Sequence, residues 1–204
     1  TTTSPAPHPT GVSVHDDLMT ESATPFGIAA PRYRLPHATR VGRVHLQVAS
    51  LERSVGFYTQ VLGLREGTRE PGRVALHAAG DPQPLIELHE KAGVAQVPRR
   101  GAFGLYHVAI LVPTRAALGQ FIAHLVALGV RFGAADHLVS EAVYLTDPDG
   151  LGIEVYCDRP RSAWQTSGRE LAMGTEVLDL ASLVDAADDT ACAELAGGRV
   201  IGHI

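Results

Sequence analysis

The feature that most constrains this chain is a repeat: the order strand, helix, strands runs twice between Val41 and Asp158. Across Arg40-Val41-Gly42-Arg43-Val44-His45-Leu46-Gln47-Val48, alternation sets Val44, Leu46 and Val48 on one face and His45 and Gln47 on the other, the pattern of a half-buried strand. Ser50 is placed to cap a helix carrying Leu51, Val55, Tyr58 and Leu62 at helical spacing, and Gly63 suits the left-handed residue that ends it. Val74 to His77 and Leu85 to His89 read as further strands, parted by Gly80-Asp81-Pro82. The second copy opens with Tyr106-His107-Val108-Ala109-Ile110-Leu111-Val112. Thr114 can cap its helix, which carries Leu118, Phe121, Ile122, Leu125 and Leu128 along one face and repeats the Leu-Gly ending at Leu128-Gly129. Strands from Val139 to Thr146 and from Gly152 to Cys157 follow, joined by the turn Asp147-Pro148-Asp149-Gly150. Two such copies imply internal duplication.

The repeat divides the chain into an N-terminal arm over residues 1–38, a domain over 39–160 and a C-terminal segment over 161–204. Within the domain, module one spans 40–97 and module two 101–160. The arm is rich in Thr, Ser, Pro and His and lacks the apolar periodicity needed to order itself. In the C-terminal segment, Leu178 to Val184 suggests a short helix and Asp185 to Thr190 an acidic loop. Arg199-Val200-Ile201-Gly202-His203-Ile204 resembles the run-in to the first histidine strand, Arg40 to Val44, so the segment reads as the start of another module leading into a second domain.

A net charge of −5 with Lys and Arg scattered singly offers no basic face for a phosphate backbone, which argues against nucleic acid and for small molecules or subunits as partners. An exposed strand edge invites pairing into a homo-oligomer. The two cysteines, Cys157 and Cys192, form no disulfide framework and no paired ligand spacing, and neither reads as a nucleophile. The apolar stretches are too short to cross a bilayer and the start lacks a secretory pattern, so the expected setting is cytoplasmic, away from membranes.

On these residues the chain resembles the vicinal oxygen chelate superfamily of extradiol dioxygenases, glyoxalase I and bleomycin-resistance proteins. The resemblance is carried by Val-His45-Leu-Gln-Val, Leu51 to Tyr58, Val61-Leu-Gly-Leu64, Tyr106-His107-Val-Ala-Ile, and Asp147-Pro-Asp-Gly with Gly152-Ile-Glu154. It implies an α+β fold in which two βαβββ modules form one open, U-shaped mixed barrel around a metal site. It further implies that His45, His107 and Glu154 are metal ligands, the two-histidine, one-carboxylate set of non-haem Fe(II). Mn, Ni or Zn are the other divalent ions such a site could take.

The resembled dioxygenases cleave catechol-like, vicinal oxygen substrates with O₂. In them a histidine and a tyrosine, in this order before the glutamate strand, handle protons and bind substrate oxygen. His137 and Tyr144 fill those places here. Glu87, in Leu85-Ile86-Glu87-Leu88, keeps a second reading open. It resembles a glyoxalase I ligand, and a fourth protein ligand would leave two positions, enough for an isomerase or lyase but not for substrate plus O₂. A third reading is a binding protein of the bleomycin-resistance kind, without turnover.

Overall fold

The computed structural model describes residues 35–36, 38–95, 104–187 and 198–204. Cys192 and the acidic stretch beyond Ala187 lie outside them. In chain order the elements are β1 (Val44–Val48), α1 (Leu51–Gln60), β2 (Arg65–Glu70), β3 (Arg73–His77) and β4 (Pro84–Glu90), then β5 (His107–Leu111), α2 (Arg115–Ala127), β6 (Gly133–Asp136), β7 (Ser140–Thr146) and β8 (Gly152–Asp158). A short 3₁₀ turn (Arg161–Ala163), the hairpin β9 (Thr166–Ser167) and β10 (Glu170–Leu171), α3 (Leu180–Asp185) and β11 (Val200–His203) complete it.

The two modules share one plan because they share one pattern of signals. Ser50 Oγ accepts from the Arg53 amide at 3.4 Å and Thr114 Oγ1 from that of Ala117 at 3.1 Å, each satisfying an orphan donor of the first turn. Gly63 and Gly129 stand at φ 61° and 66°, where a side chain would be strained. β1 shows the alternation its sequence predicts, with Val44, Leu46 and Val48 buried and His45 and Gln47 exposed. Two strands escape the periodicity. β2 is exposed along its whole length and β6 is the small, polar Gly133-Ala-Ala-Asp136. Each forms because the neighbouring strand, β3 or β7, presents an edge of unpaired backbone groups.

The strands assemble as a four-stranded sheet, β1-β4-β3-β2, and a five-stranded sheet, β11-β5-β8-β7-β6. The described residues form no closed barrel. One apolar cluster takes residues from both modules, among them Tyr58, Leu76 and Ile86 from the first and Phe121, Ile122 and Ile153 from the second. The Asp147 to Gly150 turn ties them: Tyr58 donates to Asp147 Oδ2 at 3.1 Å, the Ala49 amide donates to Asp149 Oδ2 at 3.0 Å, and Arg53 pairs with Asp149. β11, the strand expected to begin a further module, lies antiparallel along β5.

α3 packs on α2 through Gly119, where an added Cβ would fall 2.0 Å from the Leu183 carbonyl oxygen. Gly119→Ala should therefore lower stability by about 1–3 kcal/mol. Gly56, inside α1, has nothing within 4 Å of the same position, so Gly56→Ala should be neutral or stabilise by about 0.5–1 kcal/mol. Urea unfolding midpoints of the two variants check the contrast.

Candidate metal centre

Strand register builds this site. In the five-stranded sheet, Glu154 on β8 lies opposite Ala109 on β5 and Tyr144 on β7, and His203 on β11 lies opposite Ala109. His203, Ala109, Glu154 and Tyr144 thus form one row across four strands, with side chains on one face. His107 precedes Ala109 by two residues and shares that face.

Ala109 is fully buried and carries only a methyl group, so the side chains on either side of it can meet above β5. Glu154 Oε2 is 3.3 Å from His203 Nε2 and 3.3 Å from His107 Nε2. The two imidazoles stand edge to face, ring centres 5.0 Å apart. Tyr156 supports His203 from beside, 5.3 Å ring to ring, and its hydroxyl occupies the space where a Cβ on Gly202 would be.

The donor set suits a divalent cation. Glu154 is buried, with side-chain exposure of 7%, and the ion pairs it makes among the described residues are with imidazoles rather than with arginine or lysine. His107 Nε2 is buried without a hydrogen bond. A buried carboxylate lacking a fixed cation and a buried nitrogen lacking a partner are both costly, and one cation would satisfy both. The donor atoms of His107, Glu154 and His203 all lie within 4.8 Å of one another. Ligands at 2.0–2.2 Å on one face of an octahedral ion, which leaves three positions open, would be separated by roughly 2.8–3.1 Å, a little less than the 3.3 Å from Glu154 to each histidine.

Beside Glu154 the chain places Tyr144 and His137. His137 Nδ1 lies 2.7 Å from the Gly174 carbonyl oxygen, and Nε2 lies 2.5 Å from Tyr144 Oη. Because a carbonyl only accepts, Nδ1 carries a proton; in the neutral ring Nε2 is then the acceptor of the Tyr144 hydroxyl. Burial, aided by the Glu154 charge, pushes the Tyr144 phenol up to about 12. His137 is aimed by an unusual turn: Leu138 adopts φ 68° while its amide donates to Asp136 Oδ1 at 2.8 Å.

Of the three expected ligands, the structure brings together His107 and Glu154 and leaves His45 on the other sheet. Two physical reasons account for this. The edge of β5 remote from β8 is taken by β11, whose His203 enters the group in place of His45. The two histidines also differ in register, since His45 lies opposite Glu87 but the residue opposite Glu154 is Ala109. His45 belongs to a second group with Glu87 and His89. Neither His203 nor His89 is singled out by strand periodicity; the likeness of the Arg199 to His203 run to the first histidine strand was the available signal for His203. Cys157 is buried, and burial pushes its thiol up, away from nucleophilic use.

Comparison with known proteins accords with this architecture. The family model described as the Glyoxalase/Bleomycin resistance protein/Dioxygenase superfamily matches residues 34–155. Catechol-2,3-dioxygenase of Bacillus subtilis (strain 168) is 41% identical over 167 residues, covering 81% of this chain and 58% of its own length. The chain therefore spans little more than half of that curated relative. A glyoxalase/dioxygenase from Nostoc punctiforme superposes with a TM-score of 0.52 at 17% identity, over 65% of this chain and 100% of its own, a likeness of fold. A glyoxylase/bleomycin resistance protein/dioxygenase domain from Frankia sp. EAN1pec gives 0.49 at 23% identity, over 59% of this chain and 98% of its own.

The Tyr144 environment has a measurable consequence. A phenol raised to about 12 stays protonated in the folded chain while its unfolded counterpart ionises near 10. Its contribution to stability is complete below pH 10 and is lost as pH rises from there through about 12. Tyr144→Phe should flatten the alkaline fall in urea midpoint over that window. Glu154→Gln should move the Tyr144 transition, read by ultraviolet difference titration, part of the way back toward 10, because burial remains.

Proposed function

The chain belongs to the glyoxalase/bleomycin resistance protein/dioxygenase superfamily, and on that premise we propose that it serves an extradiol-type ring cleavage of a catechol-like, vicinal oxygen substrate. The observation carrying this reading is the group of His107, Glu154 and His203 donors on one sheet face, with the Tyr144–His137 pair beside its carboxylate. The 41% identity to a catechol-2,3-dioxygenase supports the reaction class.

His107, Glu154 and His203 would hold the ion, and two imidazoles with one carboxylate suit Fe(II). When bound, Fe(II) would supply open coordination positions and a path for electrons from the catechol to O₂. Glu154 would offset part of the ion's charge and, being buried between two imidazoles, stays put as substrate arrives. Tyr144 holds a phenol proton near neutral pH against His137 Nε2 and can turn it toward a substrate oxygen beside Glu154. His137, anchored through Nδ1 on Gly174, can accept that proton and return one to the product side. The four-ligand alternative draws no support from the geometry, since Glu87 groups with His45 and His89 and is bonded by Arg43 at 2.7 Å.

The test is anaerobic Fe(II) reconstitution followed by oxygen-electrode and ring-cleavage assays across substituted catechols. One O₂ consumed per ring cleaved is expected, with kcat/KM falling about 100-fold in His107→Ala and His203→Ala, in line with losses on disturbing a metal shell. If His45→Ala costs more than His203→Ala, the site reverts to the first-strand pairing. Absence of oxygen uptake from the iron-loaded chain would remove the dioxygenase reading. Ala109→Leu supplies an independent check: a larger side chain between His203 and Glu154 should weaken Fe(II) binding roughly tenfold, measured by competition with a chromophoric chelator.

A further inference from the structure

We infer that Arg159 is a positioning residue for the His137–Tyr144 pair: acting through Asp136 and the left-handed turn at Leu138, it holds the His137 ring in the tautomer that leaves Nε2 to accept from Tyr144. Its bearing on catalysis rests on the proton-handling role proposed for His137. The chain crosses from β6 to β7 through His137, Leu138 and Val139, and the His137 amide donates to the Ser140 carbonyl at 2.8 Å to close the turn. Among the described residues Leu138, at φ 68°, is the one non-glycine in the left-handed region. That conformation crowds a Cβ and persists only where surrounding contacts hold it. Asp136 provides such a contact, since its Oδ1 accepts from the Leu138 amide at 2.8 Å.

Arg159, the residue that follows β8, grips this turn from both sides. Its Nη2 donates to Asp136 Oδ2 at 2.5 Å, and its backbone amide donates to the Val139 carbonyl at 2.8 Å. The residue before His137 and the residue after Leu138 are thus tied to one side chain and its own backbone. The guanidinium is itself fixed. Nη2 also donates to Oε1 of the buried Glu141 at 3.2 Å, and Glu141 Oε2 accepts from Arg115 Nε at 2.8 Å. Trp164 Nε1 donates to the Arg159 carbonyl at 3.0 Å.

Asp136 also sets the other anchor of the ring. Its amide donates to the Glu176 carbonyl at 3.0 Å, and the Glu176 amide donates to its carbonyl at 2.8 Å. This bridge brings Gly174, two residues earlier, alongside His137, whose Nδ1 donates to the Gly174 carbonyl at 2.7 Å. The direction of the ring and the acceptor that selects its tautomer therefore both depend on Asp136 keeping its place. A carboxylate with one oxygen on the turn and the other on a guanidinium is restrained at both ends. Loss of the guanidinium frees Oδ2, so the carboxylate can rotate off the Leu138 amide. Leu138 then relaxes toward negative φ and carries the ring away from Gly174.

The test uses the full chain with isotope-labelled histidine, in which two-bond nitrogen–proton correlation spectra report the tautomer of the neutral His137 ring. The unaltered chain should show Nδ1–H as the major form. Arg159→Gln should reduce the ratio of Nδ1–H to Nε2–H by about fivefold, the worth of one hydrogen bond of ordinary net strength. Asp136→Asn, which keeps an oxygen for the Leu138 amide and loses the charge pair, should shift the ratio less and in the same direction. Leu138→Gly added to Arg159→Gln should restore it, because glycine adopts the left-handed conformation without restraint. Arg115→Gln removes another partner of Glu141 without touching Asp136, so it should lower the urea midpoint and leave the ratio unchanged. An unaltered ratio in Arg159→Gln, an equal shift in Arg115→Gln, or no recovery with Leu138→Gly would overturn the proposal. Should Arg159→Gln fail to fold, Asp136→Asn decides, and no shift there overturns it. The expected tautomer response without oxygen uptake by the iron-loaded, unaltered chain would fall on the dioxygenase reading alone.

Discussion

The turn Asp147-Pro148-Asp149-Gly150 holds the two modules in one frame. Asp147 and Asp149 are both buried, which is unfavourable for carboxyl groups unless each is fully engaged. Asp147 accepts from the amides of Asp149 and Leu151 and from the buried Tyr58 hydroxyl, while Asp149 accepts from Ala49 and pairs with Arg53. The second module's turn is therefore satisfied by groups on and before the first module's helix. Burial and the Asp147 charge push the Tyr58 phenol well up, so the contact between modules keeps its proton. The apolar cluster running through both modules depends on this junction.

With the frame set, chemistry on each sheet follows from pairing register. Partnered residues share a face, so a carboxylate on the last strand of a module meets whatever stands opposite on the first strand. In the second module that position is Ala109, and its small size lets Glu154 reach past it to His203. In the first module it is His45, and the contact with Glu87 is direct. The same module plan thus yields two different groups of donors from a difference of one pleat in the position of a histidine.

The surroundings of the two glutamates differ as well. Tyr144 and Tyr156 flank Glu154, and its charge helps raise both phenols to about 12. Around Glu87, burial would raise the carboxyl, but the Arg73 and Arg43 guanidiniums outweigh it and hold the group below the usual carboxylate range. A carboxylate without a fixed cation calls for one strongly, and a carboxylate beside two arginines does so weakly. On this contrast, the ion proposed for ring cleavage is placed in the second module.

Much of the architecture is local and was legible from the chain. Ser50 and Thr114 caps, Gly63 and Gly129 helix ends, and the alternation in β1 depend on neighbours a few residues away, so periodicity and capping chemistry disclose them. Glu154, His137 and Tyr144 were likewise identifiable as candidates, because the strands bearing them are marked by pattern and by the Asp147 turn. β2 and β6 were hidden, since edge strands without an apolar face are held by backbone pairing that side chains do not advertise. The partner of Glu154 was hidden for a related reason. Whether His45 or His203 stands beside it depends on which strand takes the free edge of β5, a choice between backbone hydrogen bonds made far apart in the sequence. The residue types and their faces were determined by the sequence; which faces meet was decided only when the sheets assembled.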